Sequence, residues 1–187
     1  MPVTRAAAIA ALLALGCGGG GDDGTALEGI YELASWTSNP DDCSAEGGPS
    51  FEEGFYTHFF VRDDKFFGEF MINAVTCEGL EACRSDAAEE DTLYIGAFYF
   101  DEGSDDDGWV GARGGLAEDQ DCSGTIRIAT LTGEPGASVR IEERAHSVSG
   151  VPLDGEGECD FDAAVEQARG QPCEELVVVT GTFLEGI

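Results

Sequence analysis

Seven cysteines, two histidines and one run of aspartates are the residues of this chain most able to do chemistry, and their spacing decides which chemistry that is. Zinc needs thiolates paired at short spacing with histidines close by. Cys77 and Cys83 have five residues between them, the other cysteines are isolated, and His58 and His146 are remote from them, so no metal centre is expected from Cys and His. Cys17 closes an apolar N-terminal run and is set aside below. The remaining six, Cys43, Cys77, Cys83, Cys122, Cys159 and Cys173, read as three disulfides. Spacing favours Cys77 with Cys83 across a short acidic loop and Cys159 with Cys173 around a helix, which leaves Cys43 with Cys122 by elimination. Residues 101–108, with Asp101, Asp105 and Asp107, concentrate the oxygen ligands that calcium uses. Placing Gly108 at the sixth position of an EF-hand loop puts Gly103 first and Gly114 last, so the segment is a weak calcium candidate and otherwise a solvated hairpin loop. No Gly-x-Ser-x-Gly, His-Glu-x-x-His or phosphate-binding loop occurs. With 38 acids in the chain, paired carboxylates carry no catalytic information. No cofactor is expected.

The elements that must position these residues are mostly strands. Residues 27–36 form a first strand ending at the turn 38–42. The aromatic runs 55–61 and 66–76 flank Arg62, Asp63, Asp64 and Lys65, a polar connection suited to a hairpin. Residues 92–100, the glycine-rich 109–116, 122–132 and 138–147 follow as strands. In the last, Val139, Ile141 and Glu143 share one face while Arg140, Glu142 and Arg144 share the other. The period changes over 160–169, where Phe161, Ala164, Val165 and Ala168 fall on one helical stripe, Asp160 can cap the start and Gly170 the end. Residues 175–184 are β-branched with apolar side chains on both faces, as a central strand requires. About eight strands at hairpin spacing with one late helix predict a single antiparallel β-barrel or barrel-like sandwich over residues 27–187.

The composition limits the partners. Nine Lys and Arg against 38 Asp and Glu give a net charge of -29, a field that repels phosphate backbones and excludes nucleic acid. Residues 1–16 hold one basic residue and an apolar run too short to span a bilayer. Leu13-Ala14-Leu15-Gly16-Cys17 resembles the lipobox of bacterial lipoprotein signals, with Ala14 and Leu15 in swapped order. That resemblance implies cleavage before Cys17, a lipid on its thiol, and a bacterial cell envelope, outer membrane or cell surface, as the location. Residues 17–26, rich in glycine, then form a flexible tether.

Nine of the eleven phenylalanines lie between Phe51 and Phe100. They imply either a packed core or a hollow barrel in which Phe60, Phe70 and Phe98 would line an apolar ligand site. Gly29-Ile30-Tyr31-Glu32-Leu33 resembles the opening of lipocalin-type barrels, without the Gly-x-Trp of that group and with the helix before the last strand instead of after the barrel. The leading expectation is a non-catalytic surface or envelope interaction module, anchored to a membrane by lipid. A binder of a small apolar ligand and an uncharacterised hydrolase are the alternatives.

Overall fold

The structure, a computed structural model, describes residues 24–50, 54–66, 69–89, 98–117 and 121–187. The signal segment, Cys17 and the tether as far as Asp23 lie outside the described residues, as do 92–97 of the expected fourth strand. The strands are β1 (Gly29–Asn39), β2 (Gly48–Pro49), β3 (His58–Phe66), β4 (Glu69–Cys77), β5 (Phe98–Phe100), β6 (Glu102–Ser104), β7 (Gly108–Ala117), β8 (Ser123–Glu134), β9 (Ser138–Val148) and β10 (Glu175–Glu185). Two helices interrupt them, α1 (Leu80–Ala87) and α2 (Phe161–Arg169). Hydrogen bonding orders the sheet β5-β4-β3-β1-β10-β9-β8-β7-β6, all antiparallel, with β2 paired to β1 alone. This is a nearly closed β-barrel of nine strands with a helix before the last one.

The seam is made by one segment serving both edges. Phe98 and Phe100 pair with Ala74 and Ile72 of β4, and two residues later Glu102 pairs with Val110 of β7. Between them the Asp101 N–H donates to the Val110 carbonyl at 3.0 Å. Gly111 makes the crossing possible, because a Cβ there would stand 1.9 Å from the Tyr99 carbonyl oxygen. Gly111→Val therefore forces the seam apart, and a loss of about 2–3 kcal/mol in urea unfolding is expected, at the upper end of overpacking penalties.

Alternation sends one set of side chains inward. Tyr31, Phe59, Val61, Ile72, Phe100, Leu131 and Ile141 are all at most 2% exposed and form one cluster with Trp36, Phe98 and Trp109. Tyr31 stacks on Phe59 at 5.4 Å. Of the three rings singled out above, Phe98 and Phe70 join this packed interior, whereas Phe60 points outward, fully buried beneath α1.

Three sequence expectations are corrected. Arg62, Asp63, Asp64 and Lys65 lie inside β3 and are not a turn. Each of the first three charges has a specific partner that keeps the strand going: Arg62 donates to the carbonyls of Ala87 and Glu89 and to Asp64, and Asp63 accepts from the Thr25 N–H. The segment after Cys77 is a helix, not an acidic loop. Leu80, Cys83 and Ala87 form its inner stripe, and it covers Ile30 and Phe60 on the outside of the sheet. The disulfides pair Cys77 with Cys83, Cys122 with Cys159 and Cys43 with Cys173, so the expected Cys159–Cys173 and Cys43–Cys122 bonds are replaced. The nine residues of α2 rise about 13 Å between the two cysteines, about twice the widest Cα span of a disulfide, and each finds a partner elsewhere. Cys159 instead meets Cys122 at the head of β8.

The helix itself follows the sequence. The Asp160 side chain accepts from the Ala163 N–H, Gly170 ends the last turn, and Ala164 and Ala168 are buried against Ile126 and Val148.

Candidate functional site

The two ends of the barrel differ. At the end where Gly24 enters, the connections are short: Asp105, Asp106 and Asp107 join β6 to β7, and Pro135, Gly136 and Ala137 join β8 to β9. At the other end the connections are long, and each cystine has one half there. Cys77 ends β4, Cys122 precedes β8, and Cys173 precedes β10. Three disulfides of this kind belong to an oxidising, extracytoplasmic compartment.

On the inner wall of this braced end stand four charged residues, of which the sequence reading placed only Glu143 on a face and gave none a role. The register sets Arg113 of β7 opposite Arg127 of β8, a pairing of like charges that is unfavourable alone. Glu143, one step deeper and opposite Ala129, holds both. Arg113 Nε and Nη2 donate to its two oxygens at 2.6 and 2.9 Å, and Arg127 Nη1 donates at 3.3 Å. Arg127 Nη2 then reaches Glu175 at 2.6 Å, and Glu175 accepts from the Ser38 hydroxyl at 3.3 Å. The Glu143 side chain is 1% exposed, whereas those of Arg113 and Arg127 are 40% and 33% exposed, so the carboxylate lies at the floor and the guanidiniums rise to the opening. Burial alone would lower the Arg127 pKa; the hydrogen bond and charge of Glu175, joined by Glu143, outweigh it and the net displacement is upward. Arg127 therefore stays charged at any physiological pH.

Aromatic rings complete the wall. The Arg113 guanidinium lies 5.4 Å from the Phe98 ring centre, Phe98 packs on Trp36 at 6.0 Å, and Trp36 stacks on Tyr56 at 6.3 Å. Phe55, 58% exposed, and Leu153, 60% exposed, stand on the connections around this end. Guanidinium edges donate in a fixed plane, so the arrangement can recognise and orient an acceptor-bearing surface. The signal for it is in the sequence: Glu143 shares the face of Val139 and Ile141, and an acid on an apolar face needs a partner.

The other sequence-singled residues serve elsewhere. Asp105 accepts from the Thr25 hydroxyl (2.5 Å), the Trp109 indole N–H (2.7 Å) and the Ala26 N–H (2.7 Å), which latches the incoming chain onto the barrel floor. Asp107 accepts from Ser104. Asp101, Asp105 and Asp107 do not converge, and among the described residues no group of three or more His, Cys, Asp or Glu could hold a metal ion. His58 Nδ1 lies 2.8 Å from the Thr57 hydroxyl. His146 is buried on the outer face of β9, its Nδ1 against the carbonyls of Gln171 and Pro172 at 3.1 and 3.3 Å.

The latch carries a pH signature with two signs. Burial, opposed by the Thr25 N–H and reinforced by Asp105, raises the Asp63 pKa. Burial would also raise Asp105, but the Thr25, Trp109 and Ala26 donors prevail and its pKa is lowered. A raised folded-state pKa relieves a penalty as pH falls through it towards the ordinary value, about 3.9. A lowered one gives stability above the ordinary value that is lost as pH falls through the folded value. On acidification the Asp63 contribution therefore rises first, and below about pH 4 the Asp105 contribution drops. Urea unfolding of Asp63→Asn should lose the upper limb of this profile and keep the lower one. Tyr31, whose hydroxyl donates to the Leu27 carbonyl, is pushed up to about 12 by burial and by Asp105, so it stays protonated throughout.

No protein-family model, curated protein or solved structure matches this chain.

Proposed function

We propose that this chain is a lipid-anchored extracytoplasmic protein of a bacterial envelope, held at the outer membrane or cell surface through Cys17, and that it acts as a non-catalytic interaction module. Its working surface is the braced end of the barrel. The observation that supports this most is the opposition of the two ends. The tether joins at Gly24 and Thr25, latched to Asp63 and Asp105, while all three cystines stiffen the connections at the far end.

Seven residues from Cys17 to Gly24 reach at most about 25 Å, so a lipid on Cys17 keeps the latched end near the membrane and directs the far end outward. Loops carried by a rigid scaffold are the usual bearers of recognition. Here Phe55, Leu153 and the arginines above Glu143 are what a partner meets.

Two measurements test this reading. The intact mass of the protein from its own membranes should show cleavage before Cys17, added acyl chains and six oxidised cysteines, and Cys17→Ala should release it from the membrane. A photo-crosslinking residue at Phe55 or Leu153 should yield a discrete envelope-protein adduct, and one at Gly136, on the tether side, should not. An unlipidated mass removes the anchor, and adducts equal at both ends remove the assignment of the working surface.

A further inference from the structure

The apolar stripe of α2 is wider than the wall that receives it. Ala164 and Ala168 are fully buried on β8 and β9, but Phe161 keeps 37% of its surface exposed and Val165 is half-buried. These two turn towards the barrel seam, where a cleft of about 320 Å³ lies between α2 and the outer face of β5, β6 and β7. Tyr99, Val110 and Ala112 form its floor. The Tyr99 hydroxyl is committed to the Ala112 carbonyl, which leaves the ring as what this residue offers.

The rim is charged with one sign in excess. Asp101, Glu102, Asp162 and Glu166 surround the cleft with Arg169, so four carboxylates against one guanidinium leave three negative charges. Arg169 is held by Glu166 at 2.8 Å and Glu102 at 3.6 Å, at one side of the opening.

We propose that this cleft binds a small organic cation, a protonated amine on an apolar frame, with the frame against Phe161, Val165 and Tyr99 and the ammonium facing the rim carboxylates. The three features select the occupant jointly. The negative rim rejects anions, and among the described residues no three of its carboxylates converge closely enough to hold a metal ion. The volume is at the lower limit of small-molecule pockets, which excludes a bulky ligand. Aromatic faces beside carboxylates attract organic ammonium groups, and the net charge of -29 concentrates cations near the surface before they find the cleft. Nothing in this depends on Cys17 or on the braced end.

The test uses the full chain purified in mild detergent at physiological salt and titrated with phenethylammonium, with 2-phenylethanol as the neutral counterpart, followed by ligand NMR and calorimetry. Saturable one-to-one binding is expected, with the alcohol at least tenfold weaker. Phe161→Ala and the double variant Asp162→Asn/Glu166→Gln should each weaken binding about fivefold with unchanged circular dichroism, while Glu134→Gln, remote from the cleft, leaves it unaltered. Absence of saturation overturns the proposal. So does equal binding of the alcohol, which would make the cleft merely apolar, and so does insensitivity to the cleft variants, which would mean general attraction to an acidic surface.

Discussion

Replacing Cys43 and Cys173 by serine is expected to lower the unfolding free energy by about 4–5 kcal/mol, the largest effect of any cystine in the chain. The bond closes a loop with a sequence separation of 130, against 37 for Cys122–Cys159 and 6 for Cys77–Cys83. Loop-closure entropy grows with the logarithm of that length, giving about 5, 4 and 2 kcal/mol in the same order. The other two cystines shorten the long loop only modestly, so the ranking survives their presence. A local consequence adds to it. The segment carrying Cys43 is also tied to the outer face of β9 by Glu46 to Arg140 at 2.8 Å. Freed from Cys173, it keeps this exposed ion pair, which holds it weakly. Thermal unfolding should show a midpoint lower by about 10 °C or more. The Cys77→Ser/Cys83→Ser variant should lose less than half as much. Equal losses for the two variants would contradict the entropic ranking.

The same cystine marks where the sequence can be read and where it cannot. Alternation located β9 and the inward face of Val139, Ile141 and Glu143, and the change of period located α2 with its Asp160 cap. These signals are local, carried by neighbours within one turn or one pleat. Disulfide partners are fixed by where strand ends arrive in space, and Cys43 and Cys173 come together because β1 and β10 pair along their whole length. No spacing rule contains that. Helix α1 escaped because its inner stripe rests on Leu80, Cys83 and Ala87 amid acids, a weak apolar signal that becomes decisive only once Phe60 and Ile30 offer a surface. The charged stretch of β3 misled for a related reason. Four consecutive polar residues resemble a turn until the Ala87 carbonyl and the Thr25 N–H are seen to receive them.

The candidate site was half legible. Glu143 announces itself as an acid on an apolar face, but its partners come from β7 and β8, and only the register between those strands sets Arg113 and Arg127 side by side. A cluster assembled across three strands has no signature in any one of them. Its charges are also balanced internally: Glu143 and Glu175 offset the two arginines. The braced end thus carries an internally neutral polar patch on a chain whose net charge is -29.

Glu143→Ala should destabilise the fold by about 3 kcal/mol. Removing one member of a buried ion pair costs about 3–5 kcal/mol when the remaining charge has no recourse to water. Here Arg113 and Arg127 are 40% and 33% exposed, so both guanidiniums recover part of their hydration and the lower end applies. Two further terms act against them. The arginines are directly opposed in the register, and Glu143 is what offsets their mutual repulsion. The cavity left beside Ala129 and Val177 also removes packing. Glu143→Leu with Arg113→Met removes both contributions at once. It fills the space and deletes one guanidinium, while Arg127 keeps Glu175 at 2.6 Å, so the double variant should regain at least half of the loss. High salt should reduce the loss in Glu143→Ala by screening the opposed arginines and leave the double variant unchanged. If the double variant is no more stable than Glu143→Ala, neither the cavity nor the unpaired guanidinium carries the cost, and the ion-pair network of Glu143 with Arg113 and Arg127 itself stabilises the fold.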